Sequence, residues 1–278
     1  MKRLVGDLGK VVALWTTLAL GQIITGAVLF RGTPTFAGDG PLGAGQAVLV
    51  VALIDAIILI LLAQRMRLRG WALGLVLGGI LFAIQTGLSL IEAIMFNNDL
   101  HLSSAMLGAT GIAALIRDAL GGVVIALMWR GQSDAGWRVR GLVWKAPAAA
   151  IFYVLCYFAA GSLIAWRSAA VRAFYAHIGQ INMSHLVLLQ IGRGLIWCGL
   201  AWLLVRSLSG PAWKAALLVG LAFAGLMVPE LLFPNPAMPW PVRSVHMVEV
   251  GVSNFLFGLI TAFVLRLGVR EAEPASAH

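Results

Sequence analysis

Long apolar segments follow one another along most of this chain and are separated by short polar connections. Eight of them reach about 20 residues, which is the length that an α-helix needs to cross roughly 30 Å of hydrocarbon. They occupy residues 11–30, 46–64, 71–96, 105–129, 146–166, 185–205, 214–233 and 244–265. Because lipid offers the backbone no hydrogen bonds, each segment is expected to be helical. The pattern predicts an all-α polytopic integral membrane protein with eight transmembrane helices.

Composition and charge agree with this prediction. Hydrophobic residues make up 60% of the chain and charged residues only 11%, which excludes an ordinary soluble domain. A net charge of +9 would suggest nucleic acid as the partner of a soluble protein, but here the basic residues lie at the ends of the apolar segments. We therefore expect membrane lipids, and no nucleic acid, as the partners of this charge.

The basic residues also predict the orientation in the membrane. With the N-terminus in the cytoplasm, 14 basic residues fall on the cytoplasmic side and 4 in the outer connections. The first apolar stretch has 20 residues, whereas signal peptides use about 7–15, so we interpret it as a retained helix. The positive-inside rule then predicts a multi-pass protein of a bacterial-type inner membrane with both termini in the cytoplasm.

Polar positions recur between the two halves of the chain. Residues 114–130 align with residues 250–266, and the identical pairs are Leu120/Leu256, Gly122/Gly258, Ala126/Ala262 and Arg130/Arg266. A shift of 138 residues pairs Glu92 with Glu230 and Asp55 with Arg193. An even number of helices in each half would make the repeats parallel, related by an axis along the membrane normal.

This recurrence predicts the domain organisation. We expect a first four-helix membrane half at residues 1–140 and a second at residues 141–270, followed by a polar, disordered tail at residues 271–278.

Polar and ionisable side chains inside the apolar segments are the candidate functional residues, because such groups are costly at membrane depth and mark substrate or ion pathways. The candidates for binding or for a proton relay are Glu92, Arg117, Asp118, Arg193, Glu230, His246, Glu249 and Asn254. At a rise of about 1.5 Å per residue, they run from the outer surface to the middle of the membrane. We expect a polar cavity that is open to the outer side and floored by the two arginines.

Carboxylates outnumber cations among the side chains inside these segments. The five carboxylates are Asp55, Glu92, Asp118, Glu230 and Glu249, and they face two arginines and one histidine. About three negative charges stay uncompensated if all ionise, so we expect some carboxylates to be protonated, solvated or neutralised by a bound cation. The alternative for each arginine is an ion pair that only fixes helix packing, with Asp55 as a candidate partner of Arg193.

A metal ion is the alternative ligand for part of this set. His246 and Glu249 lie one helical turn apart, and Glu230 precedes them across a proline-rich turn, so these three residues are candidate metal ligands. The chain has no HExxH or CxxC motif. We therefore prefer a protonatable His–Glu pair and predict no other cofactor.

Three functions fit these residues. The preferred hypothesis is a proton- or cation-coupled transporter or permease for a small solute or ion. The second is an intramembrane enzyme for a lipid or lipid-linked substrate, in which arginine or histidine binds an anion and a glutamate acts as general acid or base, with or without a metal. The third is a non-catalytic membrane subunit whose polar groups specify assembly into an oligomer.

Overall fold

The structure, a computed structural model, describes residues 2–31, 39–95, 97, 102–134, 137–176, 182–235, 238–267 and 270–271. In chain order its helices are α1 (Lys2–Leu29), α2 (Ala44–Arg65), α3 (Gly70–Phe82), α4 (Leu88–Met95), α5 (Ser104–Met128), α6 (Leu142–Leu163), α7 (Ala169–Tyr175), α8 (Met183–Ser207), α9 (Ala212–Met227) and α10 (Trp240–Arg266). A π-helical turn (Ala83–Gly87) joins α3 to α4, and 3₁₀ turns follow α6 (Ala165–Arg167) and α9 (Val228–Leu232).

Among the residues that the structure describes, eight helical segments are long and apolar enough to cross a membrane. They are Gly6–Leu29, Ala44–Arg65, Gly70–Met95, Ser104–Met128, Leu142–Arg167, Met183–Ser207, Ala212–Leu232 and Trp240–Arg266. The predicted number of helical segments is confirmed, and their limits differ from the prediction by a few residues. Large apolar side chains such as Leu75, Val143 and Leu188 point outward from this bundle, as expected where the surroundings are lipid.

Most of the basic connections meet at one end of the bundle, which we call the basic end. The Arg67 N–H donates to the Ser207 carbonyl at 2.7 Å, and the Ser209 N–H donates to the Arg65 carbonyl at 2.8 Å. These two bonds flank an antiparallel bridge between the α2–α3 and α8–α9 connections. The connections on the other side of the bundle form what we call the opposite end.

A short antiparallel strand pair also lies at the basic end. Trp137–Arg138 (β1) follows α5 and pairs with Arg270–Glu271 (β2), which follows α10. The predicted polar tail begins at Glu271, and the backbone of this residue pairs with that of Trp137 in the strand pair. Residues 272–278 lie outside the described residues.

Glycines allow the closest helix contacts. A Cβ on Gly122 in α5 would lie 2.7 Å from the Gly74 carbonyl oxygen in α3, and one on Gly258 in α10 would lie 3.0 Å from the Gly220 Cα in α9. Such backbone approach is typical of helix pairs in membranes, which pack through small residues. Helix α1 contacts α2 and α5, and α6 contacts α8 and α10. The two halves of the chain thus use corresponding helix pairs.

Candidate functional site

Six polar side chains meet near the middle of the bundle and form what we call the Arg117 cluster. Its members are Gln22 on α1, Asp55 on α2, Gln85 in the π-helical turn, Arg117 and Asp118 on α5, and Glu230 in the 3₁₀ turn after α9. Five separate segments of the chain therefore supply one polar site.

The Arg117 guanidinium is engaged from every side. Its Nε donates to Asp118 Oδ1 at 2.6 Å, its Nη2 to Gln85 Oε1 at 2.7 Å and its Nη1 to Gln22 Oε1 at 3.1 Å. The Gln85 amide then donates to Asp55 Oδ1 at 2.7 Å. Oε1 of Glu230 lies 3.9 Å from Nη1 of Arg117. One arginine thus connects three carboxylates directly or through a glutamine.

Local backbone features position these side chains. Gln85 is the central residue of the π-helical turn, and single π turns inside α-helices occur frequently at functional sites. Gly78 lets α3 approach α5, since a Cβ there would lie 2.8 Å from the Asp118 carbonyl oxygen. Pro229 has no N–H to continue an α-helix, and the chain turns there into the 3₁₀ segment that carries Glu230.

The cluster is closed and rich in acid. Asp55, Asp118 and Arg117 are 2%, 1% and 5% exposed, whereas 31% of the Glu230 side chain is exposed. Three carboxylates and one guanidinium sum to two negative charges if all ionise. Oδ2 of Asp118 and Oε1 of Glu230 are buried without a hydrogen-bond partner in the described part of the chain.

A second group lies nearer the opposite end and forms what we call the Arg193 cluster. Its members are Glu92 on α4, Tyr153 and Tyr157 on α6, and Gln190, Arg193 and Trp197 on α8. Nη1 of Arg193 donates to Oε2 of Glu92, and the two tyrosines lie within electrostatic range of the guanidinium. Arg193 has a side chain 7% exposed, whereas that of Glu92 is 39% exposed.

Two nitrogen atoms and one oxygen atom are left over in this second cluster. Nε of Arg193 and both amide atoms of Gln190 are buried and make no hydrogen bond with a described residue. Gln190 has no exposed surface at all. Because buried polar groups in proteins nearly always have a partner, these three atoms on one face of α8 make this face a candidate binding site.

His246 and Glu249 form a separate hydrogen-bonded pair on α10, through Nδ1 and Oε2. Nε2 of His246 lies 3.4 Å from the Tyr175 hydroxyl. Glu230 instead contacts Arg117, so the structure does not bring the three predicted metal ligands together. Across the described residues, no group of three or more histidine, cysteine or acidic side chains could hold a metal ion.

A further expectation is corrected by the geometry. Arg193 pairs with Glu92 and not with Asp55, which bonds to Gln85 instead. Most of the candidates fall into two clusters, of which the Arg117 cluster is buried except at Glu230, and a cavity open to the outer side stays a prediction. Asn254 is buried on α10 and makes no hydrogen bond with a described member of either cluster.

The sequence interpretation missed several members of these groups. Gln22 gave no signal because a single glutamine near a helix end is common. The tyrosines did offer a signal, because the chain contains only three of them. Tyr153 and Tyr157 lie in the Arg193 cluster, and Tyr175 contacts His246.

Arg243 is a further buried arginine, 1% exposed, and it lies in the first turn of α10. Its guanidinium donates to the Asp39 carboxylate at 2.9 Å and to backbone carbonyls that include those of Leu231 and Met238. The Trp240 N–H also donates to Asp39. That bond first, and then Arg243, lower the pKa of Asp39 below its ordinary value.

No family model matches this sequence, and neither a curated protein nor a solved structure matches it. What the site can do is therefore judged from its residues. The Arg117 cluster has carboxylates beyond those that its arginine neutralises, which suits the binding of a proton or a small cation. The Arg193 cluster has more hydrogen-bond donors than Glu92 accepts from, which suits the binding of a hydrogen-bond acceptor.

Proposed function

We propose that the protein is a proton- or cation-coupled transporter of a bacterial-type inner membrane and that the Arg117 cluster is its coupling site. The observation that carries this proposal is the set of three carboxylates around one buried arginine. Ionisable groups at membrane depth are costly and are typical of ion pathways and proton relays.

The charge of the cluster requires a bound cation or proton. Two like charges about 4 Å apart repel by about 4 kcal/mol even at an effective dielectric constant of about 20. Three ionised carboxylates around Arg117 would leave two such charges without compensation. At least one of Asp55, Asp118 and Glu230 is therefore protonated, or neutralised by a cation, when the site is closed.

Glu230 is the member best placed to exchange that proton. It has a side chain about one-third exposed, whereas Asp55 and Asp118 are sealed. Loss of its proton would strengthen its attraction to Arg117, which it approaches from another part of the chain. A proton at this position thus changes the energy of a contact between helices, which is what coupling needs.

Contacts that cross between the halves support the proposed repeat. Glu230 of the second half contacts Arg117 of the first, and Glu92 of the first contacts Arg193 of the second. The two glutamates occupy recurring positions in the sequence. The two arginines do not recur in this way, since the same shift pairs Arg193 with Asp55. Rocking of parallel repeats around an axis along the membrane normal is a common mechanism of alternating access.

The distribution of basic residues supports the proposed orientation. The connections that meet at the basic end carry most of the arginines and lysines, so the positive-inside rule puts this end and both termini in the cytoplasm. Glu230 then lies towards the outer side. Anionic lipids of the inner leaflet are the expected partners of the basic end.

Proton movement through purified protein tests the proposal. Proteoliposomes that enclose a pH-sensitive dye are given a potassium diffusion potential, and proton influx is compared with that of protein-free liposomes. We expect influx well above the protein-free level, and at least about tenfold slower influx for Glu230→Gln and for Asp55→Asn, because each removes a proton site.

Asp134→Asn is the matched control, since it removes an exposed carboxylate at the basic end. It should leave the influx unchanged. Wild-type influx equal to that of protein-free liposomes, or Glu230→Gln influx equal to wild type, would contradict the proposed coupling site.

A further inference from the structure

The face of α8 that carries Gln190 and Arg193 has buried polar atoms that the protein itself does not satisfy. The two residues lie one helical turn apart and therefore share a face. Both amide atoms of Gln190 and Nε of Arg193 are buried and unpartnered among the described residues. Leaving buried groups unsatisfied is costly, so this face is built to receive a polar partner.

The chemistry of these atoms selects the partner. Nη1 of Arg193 donates to Glu92, and its Nε–H makes no hydrogen bond with a described residue and can donate to a ligand. A guanidinium binds planar oxyanions through adjacent N–H groups, and the Gln190 amide adds a neutral donor beside it. A cation is disfavoured next to Arg193. An acceptor with negative charge fits both residues.

The surroundings provide access and a counter-charge. The Glu92 side chain is 39% exposed, so it reaches the surface while its carboxylate neutralises Arg193. A ligand that approaches along Glu92 would meet a guanidinium that is already desolvated, where charge-assisted hydrogen bonds are strong. Glu92 thus holds the site in its unliganded form.

We propose that Arg193 and Gln190 bind the oxyanion of a small carboxylate or phosphate compound, which is the substrate of the transporter. The statement that this compound is the transported substrate rests on the proposed function. The binding site itself does not depend on that function. Glu92 separates from Arg193 in part when the ligand oxyanion takes the Nε edge.

Ligand binding to the purified protein in detergent tests this proposal without a membrane gradient. Sodium acetate and sodium phosphate are titrated separately at constant pH and ionic strength, with sodium chloride as the balance. Binding is measured by calorimetry and by the shift of the unfolding temperature. We expect saturable binding of one probe beyond chloride, and the identity of that probe tells whether the oxyanion is a carboxylate or a phosphate.

Gln190→Leu is the decisive variant. It removes a buried amide without a partner, so the unliganded protein should unfold at the same temperature as wild type or higher. Its affinity for the probe should fall about tenfold, because a hydrogen bond to a charged ligand is lost. Gln64→Leu, on the exposed face of α2, is the matched control and should bind as wild type.

Arg193→Lys provides a second measurement. Lysine keeps the charge that Glu92 needs but lacks the Nε–H and the planar fork, so affinity should fall while the protein stays folded. If neither probe binds beyond chloride, or if Gln190→Leu binds as tightly as wild type, the face holds only water and the inference is wrong. Proton influx that persists in that case would leave the proposed function standing, whereas binding without proton influx would leave only the anion site.

Discussion

The Arg117 and Arg193 clusters differ in what they leave unsatisfied. The first has unpartnered oxygen atoms, on Asp118 and Glu230, and the second has mostly unpartnered nitrogen atoms, on Arg193 and Gln190. Both are built around an arginine that is almost fully buried. In the proposed function, these leftover atoms and not the arginine distinguish the two clusters: we propose a proton or a cation for the first and a hydrogen-bond acceptor for the second.

Arg243 provides a reference for these two clusters. It is as buried as they are, but its guanidinium bonds to backbone carbonyls and to one aspartate at a chain connection. Such an arginine fastens loops together. Burial alone therefore does not distinguish the three arginines, and our proposal for Arg117 and Arg193 rests on the unmatched polar atoms beside them.

Loss of the central arginine gives the largest expected difference between the clusters. Arg117→Gln leaves three carboxylates without a cation in a sealed site, which should cost about 3–5 kcal/mol of folding stability. Arg193→Gln leaves only Glu92, and that side chain is exposed enough to turn towards water. We expect the second loss to be about 1–3 kcal/mol. Thermal unfolding in one detergent measures both.

The double variant Arg117→Gln with Asp118→Asn tests the cause of that loss. If excess negative charge is responsible, removal of the neighbouring carboxylate should restore part of the stability. Equal losses of folding stability for the two arginine variants, or no rescue by Asp118→Asn, would contradict this account. The two clusters would then not differ in their excess of negative charge.

Glycine contacts next to each cluster give an intermediate effect. An alanine at Gly78 would place its Cβ 2.8 Å from the Asp118 carbonyl oxygen, and one at Gly194 would place it 2.8 Å from the Ala150 Cα. Both variants force backbones apart and should cost about 1–3 kcal/mol. Unfolding temperature measures the stability, and proton influx should fall for Gly78→Ala only.

Neighbouring glycines supply the controls. A Cβ at Gly79 or at Gly192 would meet nothing within 4 Å, so alanine there should keep or slightly raise the stability, since alanine favours helices. If Gly78→Ala and Gly79→Ala had the same stability, close approach of α3 and α5 would not be what holds Asp118 in position.

The sequence predicted the helical segments well because their length and apolar character are local properties. It also identified the ionisable residues, since any charge inside an apolar segment stands out. The pairing of those charges was not accessible in this way. Glu92 reaches Arg193 and Glu230 reaches Arg117 across about 100 residues of chain, and such contacts depend on which helices are neighbours.

Two further features escaped for physical reasons. The π-helical turn that carries Gln85 was not predicted, because one extra residue in a helical turn leaves no hydrophobic pattern to detect. Asp39 lies in a polar connection where acidic residues are usual, so its contact with Arg243 was not visible. In both cases the decisive information lies in backbone geometry and not in residue type.

The smallest expected effect concerns Asp39 and sharpens the contrast with the reference arginine. The Trp240 N–H and Arg243 hold the pKa of Asp39 below its ordinary value of 3.8. A carboxyl with a lower pKa in the folded state stabilises the fold at pH above its ordinary pKa, and this contribution is lost as the pH falls towards the folded-state pKa. Asp39→Asn should therefore lower the unfolding temperature at neutral pH, and the difference from wild type should shrink in acid. Asp134→Asn controls for removal of an exposed acidic side chain and should show little difference at either pH. The unfolding temperature of Asp39→Asn could instead stay below that of wild type by a constant amount down to pH values under the ordinary pKa. Packing of the Asp39 side chain, and not its charge, would then stabilise the opposite end. Arg243 would no longer serve as the example of an arginine whose charge is fully used by structure.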